Sequence, residues 1–242
     1  MKIVAFDLWG DYGHFKIPYT ITSPLTFPIP SKTALYGIIG AFLGYKKDEY
    51  LKNFQNKSWK FAIALNSPIK KTHIAENLID SKKVSMFAIM PKGKACRTQI
   101  KIEFLKDPSF RIYVWSNQLE ELMRLETLLQ KHESIYSISL GISECLANFK
   151  YVGSFEAHNI QVSDFIEISS VLPLSLISGL SEIDFSKAER KYIKVHTPLE
   201  MAPDRELLAS EDFIVESEGK TIFAKPTEIT QLKENEKFIA LF

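Results

Sequence analysis

The chain has 242 residues, 45% of them apolar and 24% charged, and a formal net charge of +1. This composition permits a sizeable core and excludes wholesale disorder, and the length allows one large domain or one domain with an elaborated second half. Cys96 and Cys145 form no CxxC pair, so no disulfide framework is indicated and a reducing compartment fits. The N-terminus MKIVAFDLWG has no signal-peptide layout. The longest apolar run, from Ala34 to Tyr45, is about half of what spans a bilayer. The reading is a cytoplasmic protein with no membrane partner.

Ile3 to Leu8 is a β-rich run and predicts a strand. Residues 10–30 hold Gly10, Gly13 and four prolines, which predicts an extended segment. Ser31 stands where a helix N-cap would, before Leu35, Ile38, Ile39 and Phe42 at helical spacing, with Gly44 as the stop. Trp59 to Leu65 predicts a second strand. Residues 68–97 alternate lysines with small apolar groups around Pro91-Lys92-Gly93-Lys94 and predict an extended basic arm. Gln99 to Leu105 and Phe110 to Trp115 alternate well and read as a hairpin turning at Lys106-Asp107-Pro108-Ser109. Asn117 to Lys131 predicts a helix capped by Asn117, with Glu120 and Glu121 in its first turn. Leu146 to Val152 predicts a strand.

Strand, helix, strand, strand, helix, strand is the order of the ferredoxin-like fold. The fold class expected is α+β: a ferredoxin-like, RRM-type domain over residues 1–155 carrying the arm at about 68–97, then a β-rich region over 156–242. In that region Tyr192 to His196, Phe213 to Ser217 and Thr221 to Ala224 predict short strands, with Glu218-Gly219 as a tight turn.

Charge is unevenly placed. Residues 57–106 hold eleven Lys or Arg against Glu76, Asp80 and Glu103, about +8, whereas residues 199–242 sum to about −5. A basic segment for a polyanion and an acidic end for something else is one reading; two solvated faces that balance is the other.

Gly13-His14-Phe15-Lys16, then the run Thr22-Ser23-Pro24-Leu25-Thr26-Phe27-Pro28-Ile29-Pro30-Ser31-Lys32-Thr33 leading into the glycine-bearing helix up to Gly44, resembles the N-terminal signature of the CRISPR-associated Cas-five family of the RAMP superfamily. Tyr136 to Ala147, YSISLGISECLA, is similar to that family's Gly-containing loop, here with Gly141. The lysine-rich character suggests a type I-B-like member. The resemblance implies a ferredoxin-like domain with a protruding β-hairpin thumb. It also implies a place at one end of the Cascade surveillance complex, where the chain caps the 5′ handle of the crRNA in antiviral defence. The partners implied are the crRNA, the repeated backbone subunit, the large subunit and, through the complex, target DNA. No cofactor and no metal are expected.

Taken from the residues themselves, Ser31, Lys32 and Thr33 at a helix N-terminus form a phosphate-binding candidate, or Ser31 only caps the helix. Gly37, Gly40, Ala41 and Gly44 leave one helix side bare, for the domain's own sheet, for the second Gly-containing loop or for RNA backbone. Lys70, Lys71, His73, Lys82, Lys83, Lys92, Lys94 and Arg97 make the basic arm, with Met86, Phe87 and Met90 available to wedge against bases. His14, Phe15 and Lys16 follow the first strand as a further RNA candidate.

Metal-independent cleavage of precursor RNA is the alternative activity. The family's cleaving subtype resembles a Tyr/Lys/His constellation, and Tyr36 lies in the matching helix without a convincing Lys-His partner. A third reading is a protein scaffold whose lysines are incidental. The expectation is a non-catalytic subunit.

Overall fold

The computed structural model describes residues 1–20, 22–47, 49–54, 58–79, 88–89, 97–186 and 189–242. In the first part of the chain the strands are β1 (Lys2–Trp9), β2 (Tyr12–Gly13), β3 (Phe15–Lys16), β4 (Thr26–Phe27), β5 (Trp59–Leu65), β6 (Lys71–Ile79), β7 (Arg97–Lys106) and β8 (Ser109–Ser116). Then come β9 (Asn148–Gln161), β10 (Ile166–Ile168), β11 (Leu172–Pro173), β12 (Tyr192–Met201), β13 (Leu207–Glu216), β14 (Ile222–Ala224), β15 (Glu228–Leu232) and β16 (Phe238–Ile239). The helices are α1 (Lys32–Leu43), α2 (Tyr50–Phe54) and α3 (Leu119–Lys131).

Both faces of β1 are buried. Val4, Phe6 and Leu8 point to one side and Ile3 and Ala5 to the other, each wholly inaccessible, which is the period-2 alternation of a strand. β1 pairs antiparallel with β8 and β9, and β5 lies antiparallel beyond β8, so the centre of the main sheet runs β9-β1-β8-β5. α1 and α3 cover one face: Leu35, Ile39 and Phe42 from α1 and Leu122, Leu125 and Leu129 from α3 share one core with Phe6, Phe61 and Phe110. Phe42 is edge-on to both Phe6 (5.7 Å) and Phe149 (4.7 Å). Each large side chain so buried contributes about 1.5–3 kcal/mol.

α1 begins and ends as its sequence dictates. Ser31 Oγ accepts from the Ala34 N–H at 3.2 Å, and Gly44 closes the helix in the left-handed region at φ +77°. α3 has no side-chain cap. Its cap position is Gln118, not Asn117, and the Gln118 side chain accepts from the Trp59 indole N–H at 3.2 Å instead of capping the helix.

The hairpin read from residues 99–115 is a correction. β7 pairs with β6 along its whole length and with β2 at its root, whereas β8 pairs with β1 and β5. The turn between them is a corner where the chain changes sheets. Asp107 takes a positive φ of +49°, its N–H donates to Asp11 O, and the Gly10 N–H donates to Pro108 O. Alternation identified both strands but not their partners.

The main sheet does not stop at residue 155. β9 crosses that position and its outer half pairs with β15, from Ala157–Leu232 to Gln161–Glu228, and the sheet continues through β16, β10 and β14. The face of the central strands opposite the helices is thereby closed: Ile3, Ala5, Ala62 and Tyr113 pack with Leu232 and Ile239. Phe242 exchanges two backbone hydrogen bonds with Phe61 on the outer edge of β5. A separate sheet, β11-β13-β12, packs against α1 through β12.

Candidate nucleic-acid interface

β6 and β7 form the described part of the basic arm. Their register sets Lys71 opposite Leu105, His73 opposite Glu103, Ala75 opposite Lys101, Asn77 opposite Gln99 and Ile79 opposite Arg97. Directly opposed residues share a face, so Lys71, His73, Lys101 and Arg97 lie on one side. Ile74, Leu78, Ile100, Ile102 and Phe104 lie on the other. The four cationic or ionisable side chains are exposed, as is neighbouring Lys70.

The arm's root is pinned to the segment leading into α1. Lys71 Nζ donates to Glu103 Oε1 at 2.8 Å and to Thr26 O at 3.0 Å, and the Thr26 N–H donates to Glu103 Oε1 at 3.1 Å. Ser23 Oγ donates to Lys101 O, and the Glu103 N–H to Pro24 O. Burial alone would push the Glu103 carboxyl up, but the hydrogen bonds from Lys71 and Thr26, with the charges of Lys71 and His73, hold it below the usual carboxylate range. Glu103 is thus an ionised counter-charge within that face, opposite His73. Neither Lys101 nor Glu103 stood out in the sequence; their one signal is the cross-strand register. Lys16 is exposed on β3, opposite Thr26. Lys82, Lys83, Met86, Phe87, Met90, Lys92 and Lys94 lie outside the described residues.

The other sequence candidates are interior residues. Ser31, Lys32 and Thr33 are 5–9% exposed, so the first turn of α1 offers no open anion site in the folded chain. Ser31 caps the helix, and the Lys32 ammonium lies 6.0 Å from the Tyr36 ring centroid. His14 and Phe15 are buried: His14 Nδ1–H donates to Glu103 O at 2.7 Å and Phe15 is edge-on to Phe110. They hold the arm's root to the core rather than face solvent. Gly141 sits in the left-handed region at φ +96° and supports the same segment, with the His14 N–H donating to Leu140 O. Of the bare helix positions, Gly40 faces Tyr50 of α2 and Gly44 faces Ile135, while Gly37 faces open space. The nearest neighbours of these glycines are not in the sheet, and the Tyr136 N–H, at the start of the Gly-containing loop, donates to Ala41 O at 3.0 Å.

Tyr36 stacks on Phe54 at 4.7 Å, and burial, with Glu200 nearby, pushes its phenol far above the ordinary range. A neutral phenol packed among rings is poorly placed to take a proton from a ribose hydroxyl. His132 ends α3 with its ring stacked on Phe149 at 4.5 Å. Among the described residues no group of three His, Cys, Asp or Glu could hold a metal ion, and no helix is long and apolar enough to cross a membrane. The acidic C-terminal stretch is less uniform than its sequence. Asp212 holds Lys194 and His196, each at 2.7 Å, and Glu216 is buried, accepting N–H bonds from Lys191, Glu218 and Lys220.

The family model for CRISPR-associated protein (Cas_Cas5) matches residues 3–199. The chain belongs to the Cas5 family. No curated protein matches it. In fold, this Cas5 chain is similar to a CRISPR protein from Archaeoglobus fulgidus (TM-score 0.56, 10% identity, 99% of this chain and 98% of that one covered). It is similar also to a chain of a CRISPR RNA-guided surveillance complex (TM-score 0.54, 10% identity, 92% and 91% covered). A third is a chain in the structure of Type III-B Cmr-beta bound to cognate target RNA and AMPPnP (TM-score 0.51, 10% identity, 93% and 86% covered). At such identities the likeness concerns the fold.

Proposed function

We propose that this chain is a non-catalytic, RNA-binding subunit of a Cascade-type CRISPR effector complex, holding the 5′ handle of the crRNA along the cationic face of its β6–β7 arm. The observation that carries the reading is the register that gathers Lys71, His73, Lys101 and Arg97 on one exposed face. A phosphate backbone laid there would release counterions without needing a base code. Membership of the Cas5 family and likeness in fold to a chain of an RNA-guided surveillance complex support the setting. The partners proposed are the crRNA, the repeated backbone subunit and the large subunit, with target DNA reached through the complex. The central order β9-β1-β8-β5, with α1 and α3 on one face, supports reading residues 1–155 as a ferredoxin-like domain and the β6–β7 hairpin as its thumb.

The absence of catalysis is part of the proposal, and the interior position of Tyr36 supports it. Incubation of the purified chain with labelled repeat RNA, with and without EDTA, tests both halves. Retention of intact RNA at low salt, weakening steeply as salt rises, is expected. Cleavage in EDTA that Tyr36→Phe abolishes would replace this reading with the endoribonuclease.

A further inference from the structure

The face of a four-stranded sheet opposite its helices is where RRM-type domains stack bases on aromatic side chains. In this chain that face is closed over Ile3, Ala5, Ala62 and Tyr113 by the last strands. An opening remains beside Trp115. Trp115 of β8 is half-buried there, at the rim of a cavity of about 190 Å³ between the central sheet and β15. That is room for a ring system, and well below the roughly 300–1,000 Å³ typical of sites for larger ligands. Leu176, Ile229 and Leu241 supply apolar walls.

The polar groups at this opening are few and differ in kind. Lys60, directly across from Trp115 in the β5–β8 register, carries its ammonium 6.0 Å from the indole centroid. The Glu228 carboxylate also lines this opening. The Asn159 side-chain N–H donates to Glu228 Oε1 at 2.6 Å, and buried Thr230 Oγ1 donates to Asn159 Oδ1 at 2.9 Å. A carboxylate accepts about four hydrogen bonds; the Gln161 side-chain N–H donates to Glu228 Oε2 at 3.4 Å, so one lone pair on each oxygen is left for a ligand. A flat aromatic wall with an ammonium above it and a carboxylate lining the same opening match the face and edges of a nucleobase.

We propose that this opening takes a single nucleobase, guanine foremost, stacked on Trp115. The carboxylate of Glu228 accepts from the adjacent N1–H and N2–H donors, and Lys60 donates to O6 or N7, the acceptors of the adjoining major-groove edge. Adenine and uracil present no pair of adjacent donors to the carboxylate. The base comes from bound RNA, so this deepens the RNA-binding reading; the pocket itself does not depend on the arm.

Calorimetric titration of the full chain with guanosine monophosphate tests the pocket alone. Saturable binding is expected, weaker by about tenfold or more in Trp115→Leu and in Glu228→Gln. Inosine, adenosine and uridine monophosphates should also bind more weakly. Glu228 is exposed, so its variant serves as the folded control if Trp115→Leu is unstable. The second arm compares an all-uridine oligonucleotide with one carrying a single guanosine. The guanosine should raise affinity in the wild type but not in either variant, while Lys71→Ala with Arg97→Ala should weaken both oligonucleotides alike. No saturable binding of the monophosphate, or binding unchanged in both variants, overturns the pocket. Binding of the monophosphate without preference among the oligonucleotides overturns its RNA source in favour of a free nucleotide. Loss of the arm's effect alone overturns the RNA-binding reading and leaves the pocket standing.

Discussion

Gly141 lies directly beneath the carbonyl of His14: a Cβ added to Gly141 would stand 2.0 Å from that oxygen. Its φ of +96° is also one that side chains rarely adopt. Two penalties therefore meet at one position, and neither is relieved by a rotamer change. Gly141→Ala should cost about 3–5 kcal/mol, read as a lower urea midpoint with the slope unchanged. Because the His14 ring is bonded to Glu103 O, the same variant should loosen the arm's root, read as faster amide exchange at residues 101–105.

Gly37 is the opposite case. It sits inside α1, and a Cβ there would meet nothing within 4 Å. Gly37→Ala should stabilise the isolated chain by up to about 1 kcal/mol, the ordinary helix-interior difference, measured as a rise in Tm. If RNA or a partner's backbone passes over this bare position in the assembled complex, the same variant will assemble less well despite its greater stability. Co-purification with the other subunits would reveal the split.

Acid should unfold the chain through carboxylates that the fold holds ionised. Glu126 accepts from Lys2 Nζ at 2.6 Å and from the Tyr151 hydroxyl at 2.9 Å. Burial would raise its pKa, yet these bonds and Ser154 keep it below the ordinary 4.5. A depressed folded pKa contributes stability that is complete above about pH 4.5 and is lost as pH falls below it through the folded value. Asp7, bonded to Arg111 and Asn66, and Glu103 act in the same direction. Glu126→Gln should lower stability by about 1–3 kcal/mol at pH 7 and flatten the decline as pH falls below about 4.5, followed by thermal melts in acid.

Local order was legible in the sequence and long-range order was not. Ser31, Gly44 and the Leu35–Phe42 spacing fixed α1 because caps and periodicity act within a turn or two. Trp59–Leu65 was read to the residue because turn signals bound it. The β7–β8 pairing was misread because alternation carries no information about which neighbour a strand will find. The burial of Ser31, Lys32 and Thr33 was invisible for a related reason: β12, packed on α1, begins about 160 residues later in the chain. The gathering of Lys71, His73, Lys101 and Arg97 needed the β6–β7 register, which is set by both strands together.

Glu103 gives the RNA-binding reading its sharpest test, because removing it and removing its partner should act oppositely. Lys71→Ala deletes a cation from the face and should weaken RNA binding about equally for all sequences. It should also shrink the slope of log affinity against log salt by about 0.7, the single-strand increment per phosphate contact. Glu103→Gln leaves Lys71 in place but removes the carboxylate 2.8 Å from its ammonium. The arm's face then gains a net positive charge, and Lys71 is released toward the RNA. Affinity should rise at low salt and the salt slope should steepen, with a modest loss of stability from the weakened bond to the Thr26 N–H. Both constants can be read by filter binding from 50 to 300 mM salt. If the two variants change affinity in the same direction, the arm's cationic face is not where the phosphates lie.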